Sequence, residues 1–332
     1  MSRQKLGQHF LSNLTWRQRI AQTLPAAPDS TWVEIGAGHG EMTELLAAHA
    51  RRVIAIETDR ALAAALRTRF AAQPNIEIVQ SDILSVNLAT VVKQRAIDSF
   101  RPGTASAVPN NGSKEKPSGL QAPESAKQPS KGDSFVGRGF NRDIKRSRKS
   151  RALAPEVGAD SEVLSSSSTR FRVYGNLPYY ITSPILAHLF RFAAQIESIH
   201  IVIQLEVAQR IVATPGHREY AYLSALCQYF THPEILLRIP PGAFRPPPKV
   251  HSALVAMRLP GERARLALEN DSAFLEFLQH SFAQKRKTLR NNLKSIYTDE
   301  QIAAALGACK LPSKARAEEL SLAQFAQLFH AL

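Results

Sequence analysis

From residue 32 onward, short runs of apolar and β-branched residues alternate with segments whose apolar positions recur every three or four residues. The runs at 32–36, 52–57, 76–81, 171–175 and 198–205 have the length and composition of buried strands. Residues 41–49 and 60–70 have helical spacing, and 184–192 predicts a further helix with proline in its first turn. This alternation predicts an α/β domain built on a mainly parallel sheet. After an alternating run at 250–259, the chain reads as helical from about residue 272 to its end, with Phe274, Phe277, Leu278, Phe282 and Leu289 spaced for one buried face. The rhythm breaks at 93–169, a stretch rich in Ser, Pro, Gly and Lys that predicts a disordered insertion. Its basic cluster (Arg138, Arg142, Lys145, Arg146, Arg148, Lys149 and Arg151) reads first as a solvated tail and second as a grip on RNA phosphates.

Composition narrows the partner. With 42 Lys and Arg against 28 Asp and Glu, the formal charge of +14 favours an anionic partner, nucleic acid before an acidic membrane. The longest apolar stretches, such as 199–205, fall well short of the roughly 18 to 20 residues that span a bilayer, so a soluble, non-membrane protein is expected. The opening residues carry Arg3 and Lys5 but neither an apolar core nor a small-residue cleavage site, which predicts no export. Cys227 and Cys309 stand apart, without metal-ligand spacing, and read as thiols in a reducing cytoplasm.

Candidate chemistry clusters at the strand ends. Glu34-Ile35-Gly36-Ala37-Gly38-His39-Gly40 forms a strand, a glycine turn and a helix start, and glycines let backbone pass close to a ligand. The second strand ends at Glu57, placed to accept both hydroxyls of a ribose, and the third at Asp82. In open α/β sheets ligands bind outside the carboxyl ends of the strands, so Gly36, Gly38, Glu57 and Asp82 are expected to line one crevice for a nucleoside. A dinucleotide dehydrogenase is the rival, but Gly40 comes one residue too early for its fingerprint.

The fourth strand runs into Asn176-Leu177-Pro178-Tyr179. The exocyclic nitrogen of adenine is a poor nucleophile because its lone pair is delocalised into the ring. Two acceptors, the Asn176 side-chain oxygen and the Leu177 carbonyl, suit its two N–H groups, while Pro178 stiffens the turn and Tyr179 offers a stacking face. If the donor is a methyl sulfonium, already strongly electrophilic, in-line placement is the remaining task; neither a catalytic His nor a metal is called for.

These motifs, with Gly7-Gln8-His9-Phe10-Leu11, Ser81-Asp82-Ile83-Leu84 and Phe244-Arg245-Pro246-Pro247-Pro248-Lys249-Val250-His251-Ser252, resemble the ribosomal RNA adenine dimethyltransferase family over nearly the whole chain outside the insertion. The resemblance implies a Rossmann-like class I methyltransferase domain at 1–259 and a small all-helical, RNA- or ribosome-binding domain at 260–332. It implies S-adenosylmethionine as cofactor, with His9 and Leu11 closing over it, Gly36 against its methionine part, Glu57 on the ribose, Asp82 at the adenine and Asn176 touching both cofactor and target. Phe10 and Phe244 would flank a flipped base. The implied substrate is a pair of adjacent adenosines near the 3′ end of small-subunit ribosomal RNA, dimethylated late in subunit assembly by a cytoplasmic monomer.

In the helical tail Lys285, Arg286, Lys287 and Arg290 put four cations within two helical turns, suited to phosphate contacts or to a solvated basic face. Three other readings stay open. They are a large-subunit RNA methyltransferase of the macrolide-resistance type, a non-catalytic RNA-binding assembly factor, and a methyltransferase for DNA adenine or protein glutamine; members of that last group more often have a second proline where Leu177 stands.

Overall fold

The computed structural model describes residues 9–26, 28–98 and 170–332. A two-residue strand β1 (Phe10–Leu11) and helix α1 (Leu14–Thr23) lead into β2 (Thr31–Ile35), α2 (Glu41–Ala47), β3 (Arg52–Glu57), α3 (Arg60–Arg69), β4 (Ile76–Gln80) and α4 (Leu88–Asp98). Then come β5 (Phe171–Asn176), α5 (Thr182–Phe190), β6 (Ile196–Gln204), α6 (Leu205–Val212), α7 (Tyr222–Phe230), β7 (His232–Ile239), β8 (Phe244–Arg245) and β9 (Ser252–Arg258). The tail holds α8 (Glu262–Leu266), α9 (Asp271–Ser281), α10 (Leu289–Leu293), α11 (Asp299–Ala308) and α12 (Leu322–Ala331). Of the expected insertion, residues 93–98 complete α4, whereas 99–169, with the basic cluster, lie outside the described residues, as do Gly7 and Gln8.

Seven strands form one sheet in the order β4-β3-β2-β5-β6-β9-β7. Five neighbours, from β4 to β6, run parallel, and β9 pairs antiparallel with both β6 and β7. Every residue of β2 is buried and nearly every one of β3 and β6, as expected for strands covered by helices on both faces. That is why they read as continuous apolar runs. The β7 strand escaped notice because it is an edge strand with Pro233 inside it and a register shift between Ile235 and Leu237, which blurs its alternation.

Local signals fix the helix starts. Asp59 accepts hydrogen bonds from the amides of Ala61 and Leu62 at the head of α3, and Thr298 and Gln301 cap α11 reciprocally. The tail departs from expectation. Phe274, Phe277 and Leu278 are buried on α9, but Leu289 belongs to a separate helix, α10. Between the two the chain turns, and Asn292 Nδ2 donates to the carbonyls of Ser281 (2.6 Å) and Gln284 (3.3 Å), satisfying acceptors that the end of α9 leaves open. The tail and the sheet share one apolar core: Phe230 stacks on Phe190 at 4.7 Å, and Tyr229 meets Phe274 at 5.2 Å.

Candidate active site

The strand order reverses direction between β2 and β5, the place where open α/β sheets bind ligands. A cleft opens there at the carboxyl ends of β2 to β5, lined by Gly36, Gly38, Glu57, Asp82 and the whole of Asn176-Leu177-Pro178-Tyr179. His9 and Phe10 cover it from the amino-terminal segment. Ten of the residues singled out from sequence for cofactor and target therefore meet in one place.

The cofactor half is built by backbone amides. Gly36 sits at φ +71°, donates its N–H to the Ile56 carbonyl at 2.8 Å, and has nothing within 4 Å of where a Cβ would stand. Gly38 N donates to Glu57 Oε2 at 2.8 Å, and Asp59 N to Glu57 Oε1 at 2.9 Å. The carboxylate, only 4% exposed, is thereby oriented by two charge-assisted bonds and keeps further lone pairs for a ligand diol. Asp82 accepts from Leu84 N at 3.0 Å, capping a short turn of helix, and also lines the cleft. Ile56 and Ile83 supply apolar walls for a flat group. An uncrowded glycine, an oriented carboxylate and apolar walls fit S-adenosylmethionine. Gly40 serves packing instead, since a Cβ there would meet Leu66 and Phe70 at 2.7 Å.

At the catalytic half, Asn176 Nδ2 donates to the His9 carbonyl at 2.8 Å. Only an N–H can face a carbonyl oxygen, so the amide orientation is fixed and Oδ1 is the group left to accept from a ligand. His9 is held in turn by a 2.7 Å hydrogen bond from Nδ1 to the Pro246 carbonyl, which ties the amino-terminal segment to the loop before β9. Tyr179 hydrogen-bonds Ser252 Oγ through its hydroxyl at 2.9 Å, and its ring lies 5.5 Å from that of His9. Burial pushes the Tyr179 phenol above its ordinary pKa, so the ring stays neutral.

Several residues sit away from their expected places. Leu11 and Phe244 are paired across β1 and β8 and are buried in the core with Trp32 and Tyr174; neither lines the cleft. Phe10 leans on the glycine turn, 3.2 Å from a Cβ on Gly38 and 5.1 Å from the His39 ring, so it borders the cofactor half. Lys285, Arg286 and Lys287 are not helical: they occupy the turn between α9 and α10, with Arg286 at φ +74° and Lys285 Nζ donating to the Arg218 carbonyl at 3.3 Å. Arg290 is helical but pairs with Asp299 at 2.9 Å. Sequence reasoning gave no part to Ser252 or Pro246; both lie in a quoted motif, but only the fold shows that they reach across to Tyr179 and His9.

Behind the cleft, one sheet row holds Glu34, Tyr174 and His200 side by side. Thr43 Oγ1 donates to Glu34 at 2.5 Å, while burial pushes the Glu34 carboxyl up to about 8 and the His200 imidazole down to about 4.

Sheets with a switch-point cleft host many chemistries; an oriented amide beside a nucleoside-type site narrows them, and this chain is an S-adenosylmethionine-dependent methyltransferase of the Rossmann-like class. The family model for ribosomal RNA adenine dimethylase matches residues 1–120 and 141–332, and the chain belongs to that family. It is 38% identical to the ribosomal RNA small subunit methyltransferase A of Koribacter versatilis, over 99% of this chain and 93% of that one. Its identity to the protein of the same name from Acidobacterium capsulatum is 35%, over 99% and 90% of the two chains. In fold it is similar to a dimethyladenosine transferase from Plasmodium falciparum (TM-score 0.62, 18% identity, 96% of each chain). It is also similar to the 23S rRNA methyltransferase ErmE (TM-score 0.56, 22% identity, 97% of this chain and 99% of that one).

Proposed function

We propose that this chain transfers methyl groups from S-adenosylmethionine to N6 of two adjacent adenosines near the 3′ end of small-subunit ribosomal RNA. The product is N6,N6-dimethyladenosine, made in the cytoplasm by a monomer acting on a late assembly intermediate. The observation that carries the reading is the Asn176 amide, turned by the His9 carbonyl so that Oδ1 serves as an acceptor between the cofactor half and Tyr179. The relatives at 38% and 35% identity support the small subunit, whereas the likeness to the large-subunit enzyme ErmE is one of fold.

Bound S-adenosylmethionine supplies an electrophilic methyl group on a sulfonium. The chain's own residues do the rest. Gly36 lets backbone approach closely, Glu57 takes the ribose hydroxyls and Asp82 faces the adenine of the cofactor. Asn176 Oδ1 and the Leu177 carbonyl accept hydrogen bonds from the N6–H groups, drawing the amino group toward a tetrahedral geometry in which its lone pair is available, and the one proton released as the new N–C bond forms passes to solvent. Pro178 stiffens that turn and Tyr179 holds the base in plane. Orientation of this kind lowers the barrier without a strong general base. Residues 260–332 serve to position RNA, with Lys285, Arg286 and Lys287 presented on their turn as phosphate contacts.

The test is transfer of labelled methyl to undermethylated small subunits, against large subunits and DNA, followed by nucleoside analysis. Dimethyladenosine from small subunits alone is expected. Label in large-subunit RNA would move the chain to the resistance type; RNA binding without transfer would make it an assembly factor.

A further inference from the structure

Five large apolar side chains are exposed among the described residues: Leu14, Leu84, Tyr180, Val250 and Ile296. Apolar residues scattered singly over a surface need no explanation, but grouping round one opening does. Tyr180, 72% exposed, stands between Tyr179 and Ile181, both of which line the cleft. Leu84 follows the lining residue Ile83, and Val250 lies two residues before Ser252, the hydrogen-bond partner of Tyr179. An aromatic and two aliphatic side chains, all exposed, thus stand one or two positions along the chain from residues that line the cleft or hold Tyr179. The segment from β8 to β9 that carries Val250 also presents exposed Arg245 and Lys249.

We propose that Tyr180 is a second base platform, outside the cleft, on which the nucleotide beside the target adenosine stacks while the target is held inside. The proposal rests on the reading of the substrate as an RNA adenosine. Extruding one base strips its neighbour of a stacking partner, and an exposed ring at the mouth restores one. Every base has a π-face, so the platform asks for a base of any identity, and the cations of the adjoining loop suit the phosphates on either side. The ring is carried on a firm turn: Pro178 restricts it, and Ile181 N donates to the Pro178 carbonyl at 3.2 Å. For two adjacent adenosines the platform parks one while the other is methylated, so both can be served in one visit.

The test compares Tyr180→Ala and Tyr180→Phe in the full chain. For methyl transfer to undermethylated small subunits, Tyr180→Ala should raise KM about tenfold, within the range found when base-stacking aromatics are truncated. It should leave S-adenosylmethionine affinity unchanged and raise the share of RNA molecules modified on one adenosine only. Tyr180→Phe, which keeps the ring, should stay within about twofold of wild type. An unchanged KM in Tyr180→Ala, or a Phe variant as impaired as the Ala variant, would overturn the platform. A hairpin of the RNA 3′ end with 2-aminopurine beside the target reports stacking without turnover: wild type should quench it and Tyr180→Ala should not. Quenching by a wild-type protein that methylates no RNA keeps the platform and sinks the substrate reading; absence of quenching by wild type sinks the platform itself.

Discussion

At Asn176 the two ends of one amide have different tasks. The nitrogen is committed to the His9 carbonyl, which leaves the oxygen as the acceptor that the proposed mechanism turns to the target. Asn176→Ala removes the acceptor but none of the groups that grip the ribose. Turnover should fall by two orders of magnitude or more, about 3 kcal/mol of transition-state stabilisation, with S-adenosylmethionine affinity reduced only modestly, as read by single-turnover kinetics and calorimetry. Undiminished turnover would sink the mechanism. The Tyr179 hydroxyl, in contrast, only holds the ring through Ser252, so Tyr179→Phe and Ser252→Ala should each cost less than about tenfold, mainly in KM, because a single neutral hydrogen bond is worth about 1 kcal/mol.

A second residue-scale prediction concerns acidity behind the cleft. Glu34 has its ordinary value of 4.5 raised to about 8, so the unfolded chain ionises it first and stability drains away as pH rises through that interval. His200, lowered from 6.5 to about 4, acts oppositely: its contribution is complete above pH 6.5 and is lost as pH falls toward 4. The two oppose each other in mildly acidic solution, and above pH 6.5 Glu34 acts alone. Stability should then decline by about 1.4 kcal/mol per pH unit up to pH 8, and Glu34→Gln should abolish that decline. Urea midpoints of both proteins at pH 6.5, 7.2 and 8 check this, and parallel slopes would refute it.

Among elements, those legible in the sequence were the ones whose signal is local. The β3 strand runs as read, and β2, β4, β5 and β6 differ from their apolar runs by a residue or two at the ends, because strands buried on both faces are continuous in hydrophobicity. The site was legible for a similar reason: Gly36, Glu57, Asp82 and Asn176 mark strand ends, and strand ends of a parallel sheet converge. What sequence concealed depended on partners far along the chain. Phe244 reads as a ring free to meet a base, yet its place opposite Leu11 buries it. Lys285 to Lys287 keep a helical look, and only the Asn292 bonds to the end of α9 reveal the turn. Deleting that support should be costly: Asn292→Ala leaves the buried Ser281 carbonyl unsatisfied and should destabilise by about 1–3 kcal/mol in urea unfolding, while raising KM for RNA by loosening the cationic turn.

For the molecule as a whole, the continuity of core between sheet and tail sets the scale of cooperativity. Phe274 is fully buried against Tyr229, Phe277 and Phe329, so Phe274→Ala should cost about 3–5 kcal/mol and do so in one transition seen alike by tail and sheet probes. Separate transitions would show that the tail unfolds on its own. The excess of cations gives a second global expectation. KM for small subunits should rise steeply between 50 and 200 mM salt, by about tenfold or more if three or four phosphates are contacted, while S-adenosylmethionine affinity changes little.

The hydrogen bonds that assemble the catalytic amide span 167 residues from His9 to Asn176 and 237 from His9 to Pro246. Closing such distances is entropically expensive, so these contacts reward the chain only after the intervening strands have docked. Residues synthesised first must wait for almost the last strand of the sheet before Asn176 acquires its orientation. On the proposed mechanism, methylation competence is in this sense a completion mark: a nascent or half-folded chain holds the glycine turn and its carboxylate early but carries an unaimed amide, and would spend no cofactor until the whole sheet is closed.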